Sequence, residues 1–223
     1  MMRDLLNFYL SSAGKKLLMG LTGLFLLSFL SVHLYVNLFL FMGDGGSTYD
    51  TYAEFMGTYP LIRPLEIGLF LGFLLHALLG VILWYRNWRV RPQGYAVDNT
   101  GKAATLVSRY TIVTGSAVLV FLVYHIKVFF VVSRFMDTGK TMTQLVTETF
   151  KNPWVVGFYL TALFFLGAHL KHAFQSAFQT FGLRNPKYQT LIDCTAVIFW
   201  LLFPLLFAAI PIYMLYQQRG VGL

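Results

Sequence analysis

Five histidines, His33, His76, His125, His169 and His172, all fall inside long apolar stretches of a 223-residue chain. An ionisable side chain within a membrane-length apolar segment is costly, and function is the first explanation to test. A lone histidine on an apolar face is ordinarily a hydrogen-bonded packing residue. Here each of four successive stretches carries at least one, which a packing account does not anticipate. Neutral imidazole is an axial ligand for haem iron and a ligand for zinc, so metal coordination is the chemistry on offer.

The elements that must position these side chains follow from composition. The chain is 57% hydrophobic and 12% charged, whereas soluble globular domains carry about 25% charge. A helix needs about 20 apolar residues to cross a bilayer core. Five stretches qualify, at 17–42, 61–85, 105–135, 153–181 and 188–216, and they predict an all-α integral membrane bundle forming a single transmembrane domain, 1–223. Gly43-Asp44-Gly45-Gly46 breaks the chain after the first span, and residues 49–59 read as a short interfacial helix before Pro60. The segment 86–101 reads as a polar loop, and Asn185-Pro186 as a turn. Cys194 is the only cysteine, which excludes a disulfide framework, cysteine-based zinc or iron–sulfur ligation, and a C-x-x-C-H attachment for covalent haem.

Charge placement sets the expected orientation. Arg3, Lys15 and Lys16 form one basic cluster, Arg86, Arg89, Arg91, Lys102 and Arg109 a second, and Arg184 with Lys187 a third. The loop after the first span carries Asp44, Asp50 and Glu54 instead. Because cytoplasmic loops collect Lys and Arg, the N-terminus is expected in the cytoplasm and the C-terminus outside. The N-terminal segment lacks the pattern of a cleaved signal peptide. The excess of 17 basic over 9 acidic residues accompanies no nucleic-acid motif, and no nucleic-acid partner is expected.

Depth converts the histidine count into a geometry. At a rise of about 1.5 Å per residue, His33 lies about 24 Å and His125 about 30 Å from the inner starts of their spans. His76 and His169, on spans running the other way, lie about 22–24 Å from the outer start. His33 therefore meets His125 towards the outside, and His76 meets His169 towards the inside. Facing side chains in a bundle core are the usual way to build a cofactor site, and bis-histidine ligation of two haems is the simplest use. Two ligands per level fall short of a closed tetrahedral zinc site. Gly72 and Gly80 flank His76 by one turn each, and Ala173 follows His169. They either keep that face low for a flat macrocycle or serve close helix packing.

Other polar residues have weaker claims. His172, nearer the cytoplasmic end, suits a propionate or quinone hydrogen bond. Lys171, Arg109, Lys15 and Lys16 are inner-side cations for propionates, or they simply snorkel. Glu66, near the outer end of the second span, is the candidate for proton exchange at a quinone site, with Asp50 or Glu54 as substitutes. Asp193 near the inner end of span five has the same ambiguity.

The phrases GKKLLMGLTGLFLLSFLSVHLYVNL around His33, EIGLFLGFLLHALLG around His76 and LGAHLKHAFQSAFQTFGLRNPKY from His169 resemble the single-chain, di-haem cytochrome b subunit of bacterial succinate dehydrogenase and fumarate reductase. The resemblance covers nearly the whole chain. It implies a five-helix anchor in the bacterial inner membrane, with a flavoprotein and an iron–sulfur subunit on its cytoplasmic face. It also implies two haem b groups, with His33 and His125 ligating the outer one and His76 and His169 the inner one. Electrons from succinate would pass through the iron–sulfur subunit and both haems to menaquinone or another quinone. The dicarboxylate site would lie in a partner, which suits the absence here of a dinucleotide-binding glycine fingerprint. Two other readings stand beside this one. One is the cytochrome b anchor of a hydrogenase or formate dehydrogenase, and the other is a non-haem transporter or scaffold, for which no inverted repeat is evident.

Overall fold

The computed structural model describes Asn7, residues 11–90 and residues 111–218, and every regular element among the described residues is helical. Lipid offers no hydrogen-bond partner to a backbone, and a helix satisfies its own. In order, α1 spans Ser12–Asn37 and closes in a 3-10 turn at Leu38–Phe41. α2 is Ser47–Thr58 and α3 is Ile62–Val90. α4, Thr111–His125, continues through a π-helical segment, Ile126–Val131, into α5, Val132–Phe135. α6 is Met142–Thr149 and α7 is Pro153–Thr180. α8, Gln189–Val197, joins α9, Phe203–Gln218, through a second π segment at Ile198–Leu202.

Five of these stretches are long and apolar enough to cross a membrane: Ser12–Phe41, Ile62–Arg89, Thr111–Phe135, Pro153–Thr180 and Gln189–Gln217. Their surfaces agree, since Leu61, Leu65, Leu71, Val120 and Phe164 are all more than 60% exposed. A water-soluble monomer does not leave so continuous an apolar surface uncovered. Trp84 and Trp88 stack at the end of α3, 6.4 Å between ring centres, and Trp154 stands exposed at the start of α7. Indole rings at the span ends are what a membrane–water interface favours.

Three boundaries differ from the sequence expectation. The first span begins at Ser12 rather than near residue 17, because the Ser11 hydroxyl accepts the Gly14 N–H at 3.1 Å and caps the helix there. The stretch from Arg86 is not loop from its start, since α3 runs on to Val90. The loop between the third and fourth spans contains α6, whose Thr141 and Gln144 form a reciprocal capping box.

Among the four histidine-bearing spans, the principal packing neighbours run α1 with α3, α3 with α4, α4 with α7, and α7 with α1. They form a ring in which α1 faces α4 across one diagonal and α3 faces α7 across the other. α8 and α9 pack on α7, and α9 also reaches α1. Pro204 has no N–H to give the Trp200 carbonyl, and the chain there winds as the π segment, closed by Phe203 N–H on the Ile198 carbonyl. Gly167 of α7 lies against the Trp200 carbonyl. A Cβ at Gly167 would stand 2.7 Å from the oxygen, and this contact sets the approach of the fifth span.

One end of the ring is covered by α2 and α6. The Asp44 carboxylate accepts the Gly46 and Thr48 N–H groups at 3.0 and 2.8 Å, while Asp50 accepts the Thr143 N–H at 2.7 Å. Gly46 caps α2 at φ +90°, and a Cβ there would collide with Thr143. Arg63 and Arg134 both donate to the Gly57 carbonyl near the end of α2, where the helix dipole favours cations. Beneath this cap, Leu40, Tyr49, Val146, Phe150, Val156, Tyr159, Ile210 and Met214 form the larger buried cluster. A smaller one, Phe174, Ile192 and Ala196, holds α7 to α8.

Candidate cofactor site

Each diagonal of the ring carries one histidine pair. His33 of α1 and His125 of α4 have ring centres 5.8 Å apart at 88°. Those of His76 of α3 and His169 of α7 are 6.3 Å apart at 77°. Diagonal pairing puts the space between the imidazoles near the bundle axis. The levels are separable from sequence distance. Thr22 of α1 touches His76, and His33 lies eleven residues further along α1, about 16 Å at the helical rise.

At the capped level the histidines sit among rings. His33 stacks on Phe29 at 5.4 Å and 20° and approaches Phe207 at 5.8 Å. His125 approaches Phe121 at 5.4 Å and Phe129 at 5.1 Å. Its Nδ1 is 3.2 Å from the Tyr159 hydroxyl, and Tyr159 is buried. Asn37 donates to the His33 carbonyl at 2.7 Å and stands 3.5 Å from His33 Nδ1, at the limit of a useful bond.

At the other level the surroundings are small. His76 Nδ1 lies 3.1 Å from the Thr22 hydroxyl. A Cβ on Gly23 would stand 3.4 Å from His76 Cε1, and one on Gly115 would stand 3.5 Å from His169 Cε1. His169 Nδ1 is buried without a hydrogen-bond partner. A buried, unpaired ring nitrogen is costly, and it sets His169 apart from His76, whose Nδ1 has the Thr22 hydroxyl.

These residues fit an iron porphyrin on the donor chemistry. Two imidazoles binding one metal ion from opposite sides, each nitrogen about 2 Å from it, bring their ring centres to roughly 6–6.5 Å, close to both observed spacings. Each level brings two imidazoles together, whereas a closed zinc site takes four ligands.

The remaining expected residues are placed as follows. Glu66 is paired with Arg63 at 2.6 Å. It lies ten residues before His76 on α3, which by the helical rise is about level with His33. Lys171 rests over the Trp200 ring, 4.6 Å from its centre, and is exposed. It follows His169 by two residues and so points away from that residue's face. His172 is half-buried and makes no ring contact among the described residues. Arg109 lies outside the described residues. Asp193 is engaged with Gln175 at 3.4 Å and Arg184 at 3.6 Å, tying the ends of the last two spans together. Gly72 and Gly80 receive Phe25 and Met19 of α1 respectively, which is close helix packing.

The glycines against the histidine rings are instead Gly23 and Gly115, which the sequence reading did not single out. Thr22, Tyr159 and Asn37 were missed as well. Cross-helix register decides that Thr22, Tyr159 and the two glycines meet a histidine, and one helix's periodicity does not contain it; Asn37 stands one turn beyond His33 on α1 and is an i,i+4 neighbour. No family profile, curated protein or solved structure matches the chain.

Proposed function

We propose that this chain is a membrane-anchoring di-haem cytochrome b subunit of a succinate:quinone oxidoreductase, passing electrons from an iron–sulfur subunit to menaquinone or another quinone. The observation that carries the electron-transfer reading is the pair of diagonal histidine couples, at ring spacings of 5.8 and 6.3 Å, stacked at two levels of one bundle. The succinate assignment rests on the phrases around His33, His76 and His169. Bound haem supplies a one-electron iron couple whose potential depends on axial ligands and burial.

The chain's own residues divide the rest of the work. His33 with His125, and His76 with His169, hold iron at the two levels, and the apolar helices around them exclude water. Glu66, held by Arg63 and level with His33, is the proposed proton-exchange group for quinone. His172, Lys171 and Arg109 are the proposed propionate or quinone contacts. The flavoprotein and iron–sulfur subunit would dock on the cytoplasmic side of a bacterial inner membrane, at the face bearing the N-terminus, with the C-terminus outside. The dicarboxylate site belongs to the flavoprotein.

Haem quantitation on the purified full chain, with reduced-minus-oxidised spectra, tests this reading. The expected result is two b-type haems per chain, and one in each of His33→Ala, His76→Ala, His125→Ala and His169→Ala. A wild-type chain without b-type bands would remove the electron-carrier function. Recovery of a nickel or molybdenum enzyme with the chain, in place of a flavoprotein, would remove the succinate assignment.

A further inference from the structure

Thr22 makes three contacts with one hydroxyl. Its Oγ1 is 2.9 Å from the Leu18 carbonyl, 3.1 Å from the Met19 carbonyl and 3.1 Å from His76 Nδ1. Threonine bonding back to the preceding turn is common in helices and by itself means little. The histidine contact changes that, because the donors can be counted. A hydroxyl has one proton and a carbonyl has none. Placed on the backbone of α1, where two carbonyls converge on the hydroxyl, that proton leaves the Thr22 oxygen to accept from His76 Nδ1.

This arrangement corresponds to one tautomer: hydrogen on Nδ1, lone pair on Nε2. Gly23, the next residue, lets the Cε1 edge of the same ring rest on the α1 backbone. Hydroxyl and glycine together fix the ring's rotation and which nitrogen is available. His169 across the diagonal has no equivalent, its Nδ1 being buried without a partner. One ligand of the couple is prepared in advance and the other is not.

We propose that Thr22 is a positioning residue that presents Nε2 of His76 to the metal at this level, making His76 the pre-formed half of an asymmetric ligand pair. The proposal rests on the haem reading for its purpose, while the tautomer it assigns is a property of the chain alone. Outer-shell partners of metal-bound histidines typically contribute about 10–100-fold to affinity.

Two measurements test it. In the haem-free, 15N-histidine-labelled full chain, NMR is expected to show His76 as the Nδ1–H tautomer in the wild type and in Thr22→Ser, and as mixed tautomers in Thr22→Ala. A wild-type Nε2–H tautomer overturns the proposal even if the chain binds two haems. In haem titrations, Thr22→Val is expected to weaken one haem about 10–100-fold. The electron paramagnetic resonance signal of the other haem should stay unchanged, and Thr22→Ser should restore wild-type binding. Two haems bound at wild-type affinity in Thr22→Val would overturn the role of Thr22 and leave the haem reading standing. A wild-type chain that takes up no haem would overturn the haem reading instead.

Discussion

Around His33 and His125 the neighbours are rings, namely Phe29, Phe207, Phe121, Phe129 and Tyr159. Around His76 and His169 they include a hydroxyl and two glycines. The spacing within each pair is nearly the same, so one geometry is reached by two routes. At the capped level, ring packing holds the imidazoles, with the Tyr159 hydroxyl 3.2 Å from His125 Nδ1. At the other, close backbone approach and one hydrogen bond do. The two levels should therefore fail under different substitutions.

The sharpest contrast comes from the glycines. Gly115→Leu would push side-chain carbons into the space of the His169 ring, and overpacking of this kind costs about 1–3 kcal/mol. On the proposed haem reading, one of two haems is expected to be lost and the one between His33 and His125 retained. Gly68→Leu, at a position where a Cβ meets nothing within 4 Å, should keep both. Equal haem content in the two variants would end the distinction between ring-packed and backbone-packed levels.

A smaller effect is expected from Tyr159→Phe, which keeps the aromatic packing and removes the hydroxyl beside His125. One neutral hydrogen bond contributes about 1 kcal/mol. The change should appear in the resonance signal of the His33–His125 haem alone. A shift in the other haem's signal, or none in either, would contradict the assignment of Tyr159 to that level.

The smallest effect concerns the cap. The side-chain hydrogen bond from Thr48 chiefly holds the Asp44 carboxyl below its ordinary 3.8, and the hydrogen bond from Lys140 chiefly holds Glu148 below 4.5. A carboxylate with a depressed folded-state value supports the fold above its unfolded value, and that support is lost as pH falls through the folded one. Acid should loosen the cap over α2 and α6 first, leaving the uncapped level unaffected. NMR titration of the Gly46 and Thr48 amides should show a midpoint below 3.8, abolished in Asp44→Asn. A midpoint at or above 3.8 would count against this order of loosening.

What the sequence made legible was whatever depends on one helix at a time. Apolar length marks the five spans, and residue rise placed His33 level with His125 and His76 level with His169 before any contact was known. The register between helices was not legible. Gly72 and Gly80, chosen for standing one turn from His76, pack against Phe25 and Met19, whereas the glycines beside the rings lie on neighbouring helices. α6 was not legible because 8 residues give barely two turns over which to read a period, although T-x-x-Q at Thr141–Gln144 is a readable start signal. Glu66 was legible as an intramembrane acid, and its ion pair with Arg63 is an i,i+3 contact on the same helix face.

The crossed diagonals also bear on how the protein is made. A chain emerges from the ribosome N-terminus first, and no two consecutive spans bring a histidine couple together. His33 must wait for the third span, and His76 for the fourth, whose arrival closes the ring. A nascent chain halted after its first hairpin would hold two unmatched imidazoles, so on the proposed haem reading cofactor capture belongs to the later part of synthesis.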